Sequence, residues 1–203
     1  MIRRIGLTGG IASGKSRVAA ILCSKLDCVL IDADAVCRRL LEPGAAGWQE
    51  FSRIFGTRYL AEDGSIDRSR LRRDLFADDA FRQEVNNIIH PLAKKVIKEK
   101  MERILDSDDN SRVIVEVPLL YEVRWENLFD TVVVVYADDE TCLKRLMERD
   151  GMERNMALRE LQSQLPLAEK KLRAEHVIDN SGLLPDTLGQ VERLAELLGG
   201  SSE

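Results

Sequence analysis

Short β-branched runs alternate along this chain with stretches whose apolar residues recur every three or four positions. Ile5 to Leu7 runs into a glycine-rich turn, and Val18, Ala19, Ile21, Leu22 and Leu26 follow at helical spacing, which predicts strand, loop and helix in that order. Further strand-like runs stand at Val29 to Ile31, Val113 to Val117, Val132 to Val135 and Val177 to Ile178, with helix-length patterns between them. Strands that alternate with helices predict an α/β fold built on a parallel sheet. The spacing is uneven, because about 80 residues separate the second strand from the third and that interval reads as helical. Its punctuation is Glu42-Pro43-Gly44, Phe55-Gly56 and Asp63-Gly64. Helical patterns then run through Leu71 and Phe76, from Phe81 to Ile89, and from Pro91 to Leu105, the last taken to start at its proline. An inserted helical module is the expected result.

Composition narrows the functional classes. The 203 residues carry a net charge of −5 and are 44% apolar, enough to fill a core and without the basic excess that nucleic-acid binding demands. No run of about 18 apolar residues predicts a membrane span. Arg3 and Arg4 are followed by Gly6, Gly9, Gly10, Ser13, Gly14 and Lys15, which break any apolar signal region, so export is not expected. Cys23, Cys28, Cys37 and Cys142 form no C-x-x-C pair, and with only His90 and His176 beside them a zinc site is not expected; reduced thiols in the cytoplasm are. Only the tail Gly199-Gly200-Ser201-Ser202 reads as flexible.

Gly9-Gly10-Ile11-Ala12-Ser13-Gly14-Lys15-Ser16 satisfies G-x-x-x-x-G-K-[ST] where a strand ends and a helix begins. Backbone N–H groups and the helix N-terminus converge there on one anion, and glycines let the chain close around phosphate. Lys15 is expected to bridge the β- and γ-phosphates and Ser16 to hold Mg²⁺ through its hydroxyl. Asp32 and Asp34 end the second strand, where open α/β sheets bind ligands. One carboxylate would accept a hydroxyl proton and the other order Mg²⁺ or its waters; alternatively Asp34 caps a helix beginning near Ala35. Glu116, within a buried strand, serves either behind Mg²⁺ or in a structural ion pair.

Together these residues resemble the dephospho-coenzyme A kinase family. Beyond the phosphate loop the likeness takes in Ile31-Asp32-Ala33-Asp34, Glu42-Pro43-Gly44, Phe55-Gly56, Asp67-Arg68 with Leu71-Arg72, Ile89-His90-Pro91 and Val117-Pro118-Leu119-Leu120-Tyr121-Glu122. It continues through Arg145, Arg149-Asp150, Gln164-x-Pro166-Leu167-x-Glu169-Lys170 and Val177-Ile178-Asp179-Asn180. The resemblance implies a three-layer P-loop core of residues 1–35, 110–140 and 176–203, a helical acceptor domain over 36–109 and a helical lid over 141–175. It implies transfer of the γ-phosphoryl of ATP to the ribose 3′-hydroxyl of dephospho-coenzyme A, with Mg²⁺, in a cytoplasmic monomer or weak homo-oligomer that binds neither nucleic acid nor membrane. Asp34 falls on the catalytic base, and Arg145 and Arg149 fall on lid arginines. ATP is assigned to residues Gly9, Gly10, Ile11, Ala12, Ser13, Gly14, Lys15, Ser16 and Arg17 with Asn180, metal to Ser16 and Asp32, and the acceptor to Asp34, Asp67, Arg68 and His90. This chain departs from the family at Ala12, usually glycine, at Arg17, often threonine, and at Glu175, usually aspartate.

Each assignment has a plainer counterpart. His90 ahead of Pro91 serves as a cap or core residue if it binds no acceptor. Arg68, Arg70, Arg72 and Arg73 form a solvated helix face if they hold no phosphate. Arg145 and Arg149 are four apart, so simple helix pairing competes with cover of the phosphoryl group. The stretch from 144 to 173 nonetheless sets eight Lys and Arg against five acids. Another P-loop kinase, for a nucleoside monophosphate or a small polyol, would fit the core but leave the insert unexplained. Asp179-Asn180-Ser181-Gly182 fits D-x-x-G, yet no N-K-x-D follows, so a guanine switch is not expected.

Overall fold

The computed structural model describes residues 2–200, apart from the side chain of Phe76. Ser201 and Ser202 of the expected flexible tail lie outside the described residues. Among these, β1 (Arg4–Gly9), β2 (Val29–Asp32), β3 (Val113–Glu116), β4 (Thr131–Tyr136) and β5 (His176–Asp179) form a wholly parallel sheet in the order β2-β3-β1-β4-β5. All the expected strands are present. The inner strands β1, β3 and β4 are buried almost throughout, which is why they read as near-continuous apolar runs instead of alternating ones. From β1 the chain turns first toward β2 and β3 and only later toward β4, so the phosphate loop leaves the sheet where its strand order reverses.

The chain divides into two compact units, Met1–Asp32 with Met101–Glu203, and Ala33–Lys100. In the first, Ile5 and Leu7 of β1 pack with Val18 and Leu22 of α1 (Lys15–Leu26) and Val191 and Leu194 of α9 (Leu184–Gly199). Each such side chain contributes about 1.5–3 kcal/mol by leaving water, so this layer holds the strand that presents the loop. The same unit contains α6 (Asp139–Asp150), α7 (Arg154–Gln162) and α8 (Leu167–Arg173). Glu175 accepts from the Val132 N–H at 2.9 Å.

The second unit holds α2 (Ala33–Leu40), α3 (Ala46–Phe55), α4 (Arg68–Ala77) and most of α5 (Asp79–Ser107). Its core joins Phe51, Tyr59, Ile66, Leu71, Val85 and Ile89, with the Tyr59 ring stacked 5.2 Å from Phe81 and its hydroxyl donating to Asp74 at 2.9 Å. The helix expected to begin at Pro91 does not begin there: α5 starts behind Asp78, whose carboxylate accepts from the Ala80 and Phe81 N–H groups, and runs through Pro91 unbroken. The cost of an interior proline is about 3 kcal/mol. Val85, Ile89, Ala93, Ile97, Met101 and Leu105 are all buried at four-residue steps, and a few of them together outweigh that cost. Each four-residue step advances about 40° around the helix, so the buried stripe winds, and no single apolar face marks the helix in the sequence.

Candidate active site

The phosphate loop is shaped by backbone that few side chains tolerate. Gly14 sits at φ 88, and a Cβ there would lie 2.3 Å from Asn180 Nδ2, so glycine alone fits. Ala12 holds φ 59, a left-handed conformation that costs a non-glycine residue about 1–2 kcal/mol. Among the described residues no side chain caps α1, so its N-terminal N–H groups face the loop without competition from a capping oxygen. Ser13 is fully buried, and its hydroxyl has no hydrogen-bond partner among the described residues, as expected of a group that meets a phosphate oxygen. Lys15 likewise has no hydrogen-bond or ion-pair partner among them.

Asn180, at the exit of β5, braces the loop from behind. Its Nδ2 donates to Ser13 O at 2.8 Å, its Oδ1 accepts from Thr187 at 2.9 Å, and its own carbonyl accepts from Arg145 Nη2 at 3.0 Å. Gly14, Arg17, Arg145, Asn180, Gly182 and Thr187 surround a pocket of about 210 Å³ beside the start of α1. Arg145 Nη1 is buried there without a partner among the described residues. Arg149, by contrast, grips Asp150 through Nε and Nη2 at 2.7 and 2.8 Å, which holds its guanidinium further above the ordinary range.

Oxygen ligands gather at the neighbouring strand ends. Ser16 Oγ donates to Glu116 Oε1 at 2.6 Å, which places Glu116 directly behind the hydroxyl read as a metal ligand. Asp32 and Glu116 are register partners on β2 and β3, so they share a face of the sheet. Among the described residues no group of three or more His, Cys, Asp or Glu is assembled. Mg²⁺ needs none, since it keeps several waters and takes one or two carboxylates plus phosphate oxygens. Asp34 lies in the first turn of α2, which starts at Ala33 and not near Ala35, so Asp34 is past the capping position.

Comparison with known proteins bears on what these residues serve. The dephospho-CoA kinase family model matches residues 3–186. The chain belongs to the dephospho-CoA kinase family. It is 42% identical over 187 residues to the dephospho-CoA kinase of Carboxydothermus hydrogenoformans, covering 92% of this chain and 90% of that one. It is 39% identical over 188 residues to that of Desulfotalea psychrophila, covering 93% and 94%. The solved dephospho-CoA kinase of Campylobacter jejuni shares the fold at a TM-score of 0.71 and 29% identity, over 98% of each chain.

Membership makes the chain a kinase, and its expected site residues divide between the two units. The loop, Lys15, Ser16, Asp32, Glu116, Arg145 and Asn180 all fall in the first unit. Asp34, Asp67, Arg68 and His90 fall in the second. Asp67 is the N-cap of α4 and accepts from the Arg70 N–H at 3.0 Å, and Arg68 opens that helix. His90 is half-buried in the middle of α5, not a cap.

Burial pushes the His90 imidazole below its ordinary 6.5. The unfolded chain therefore takes up a proton on this side chain before the folded chain does, and the folded state loses stability as pH falls below about 6.5. Urea unfolding midpoints are expected to drop between about pH 7 and pH 5, and the drop is expected to shrink in His90→Gln. Equal slopes for both proteins would remove His90 as its source.

Lys170, which the sequence places only within a basic stretch and a family likeness, is fully buried on α8 and bonded to Pro118 O and Glu122. Its partners stand 48 and more residues away, and no local pattern reports such a pairing.

Proposed function

We infer that this chain transfers the γ-phosphoryl group of ATP to the ribose 3′-hydroxyl of dephospho-coenzyme A, the last step in forming coenzyme A. The observation that carries this reading is the assembled phosphate loop, where neither Lys15 nor the Ser13 hydroxyl has a partner among the described residues, in a chain of this family. The loop N–H groups and Lys15 hold the β- and γ-phosphates. Arg145, Asn180 and Arg17 line the pocket that suits the rest of the nucleotide. Ser16 and Asp32, with Glu116 orienting Ser16, would hold Mg²⁺ through oxygen, the donor it prefers. When bound, Mg²⁺ supplies a divalent charge on the phosphate oxygens.

Asp34 accepts the proton of the acceptor hydroxyl as the new O–P bond forms and the bond to the β-phosphate oxygen breaks, releasing ADP. Asp67, Arg68 and His90 hold the acceptor. Arg145 and Arg149 belong to a lid over 141–175 that excludes competing water. The four free cysteines suit a reducing compartment, so the reaction is read as cytoplasmic.

Coupled ADP release measured across dephospho-coenzyme A, nucleoside monophosphates and small polyols tests the acceptor. Stimulation by dephospho-coenzyme A alone is the expected result, and stimulation by none of them would sink the reading. Both substrates together are also expected to raise hydrogen-exchange protection from Lys144 to Arg173 well above the free protein, since lids of this kind open in microseconds to milliseconds. Equal protection with and without substrates would remove the lid.

A further inference from the structure

A buried cation joins three pieces of chain around the phosphate loop. Lys170, 0% exposed, donates to Pro118 O at 2.8 Å and pairs with Glu122 Oε1 at 2.8 Å. The same Glu122 oxygen accepts from the Leu165 N–H at 3.0 Å, in the turn that precedes α8. Pro118 O also accepts from the Thr8 hydroxyl at 3.2 Å, one residue before the loop begins at Gly9. Pro118 itself follows β3, whose last residue is the Glu116 that accepts from Ser16.

The turn so tied lies directly on the phosphate loop. A Cβ built on Gly10 would stand 3.3 Å from Leu167 Cδ2, and Gln164, Leu165 and Leu167 line a cavity of about 250 Å³ with Gly10 and Ile11. We propose that Lys170 is a positioning residue for phosphoryl transfer: its ammonium pins the turn before α8 to the loop leaving β3, and so sets how closely that turn covers the phosphate loop.

Stability alone does not account for a charge in this place. Replacing a buried ion pair by apolar residues of similar volume is often neutral or stabilising. Burial pushes the Lys170 ammonium below the ordinary lysine range, and the like charge of Lys15 pushes the same way, against Glu122. What the charge adds is direction, because bonds from one ammonium and one carboxylate oxygen orient the turn as packing by an alkyl chain does not.

The proposal rests on the kinase reading, and its test keeps the two apart: an inactive parent enzyme would sink that reading, whereas the variants address Lys170. A shift of about 1 Å in a positioning element can cost about 10²-fold in rate. Lys170→Met is therefore expected to lower kcat by about 30-fold to 100-fold while KM for ATP moves less than about threefold. The double variant Lys170→Met/Glu122→Gln, which removes both charges but keeps an acceptor for the Leu165 N–H, is expected to regain the parent Tm without regaining kcat. A folded Lys170→Met enzyme with kcat within about threefold of the parent would overturn the proposal, as would a double variant that recovers kcat together with Tm. If neither folds, Glu122→Gln alone decides: a fall in kcat of about fivefold or more with a parent-like Tm supports positioning, and an unchanged kcat overturns it.

Discussion

Lys15→Ala is expected to abolish nearly all turnover and leave the protein folded. The side chain has no hydrogen-bond or ion-pair partner among the described residues, so its loss removes no structural bond. Substitutions of that kind usually change stability by no more than about 0.5 kcal/mol. The same isolation makes the charge costly to lose in catalysis. Negative charge shifts toward the leaving phosphate in the transition state, and a preorganised cation beside it acts where few water dipoles can replace it. Removing one such stabilising group typically costs about 10² to 10³ in kcat. Steady-state kinetics beside a thermal unfolding curve provide the check. More than about a tenth of parent activity in a folded Lys15→Ala protein would contradict the role, because so small a loss is under about 1.4 kcal/mol of barrier.

The parts of this molecule that were legible in its sequence are those whose causes are local. Strands buried on both faces must be apolar at nearly every position, so Val113 to Glu116 and Thr131 to Tyr136 show as runs. The phosphate loop shows because a left-handed φ at Gly14 and the close approach of Asn180 demand glycine at one fixed spacing from Lys15. Causes that act over distance were not legible. Pro91 obeys the rule that proline starts a helix only when nothing else decides, and here a winding stripe from Val85 to Leu105 decides. Asn180 was read as a nucleotide neighbour, yet its bond to the Ser13 carbonyl crosses 167 residues of chain, and a loop brace of that length leaves no periodic mark. Glu116 left two readings open, and only the fold shows that it takes the Ser16 hydroxyl at 2.6 Å.

Asp34→Asn is expected to cripple phosphoryl transfer while nucleotide binding changes only a few-fold. Asparagine nearly matches the shape of aspartate and still accepts a hydrogen bond, but it takes no proton at neutral pH. Asp34 stands in the first turn of α2, two residues beyond the end of β2, and Asp32 is the register partner of Glu116. As a first-turn acid it also stabilises the helix dipole, so the variant is expected to lose about 0.3–1 kcal/mol of stability, a minor effect. General-base assistance is worth about 10² to 10⁴ in rate, so kcat should fall by that factor if the proton goes to Asp34. Asp32→Asn is expected to differ in kind, raising the Mg²⁺ concentration needed for half-maximal rate more than it lowers the rate at saturation. A magnesium titration of kcat for both variants, with ATP binding measured alongside, separates the two carboxylates. A nearly normal kcat in Asp34→Asn would reduce Asp34 to a charge at a helix start, and the acceptor hydroxyl would then lose its proton to another group or directly to the departing phosphoryl oxygens.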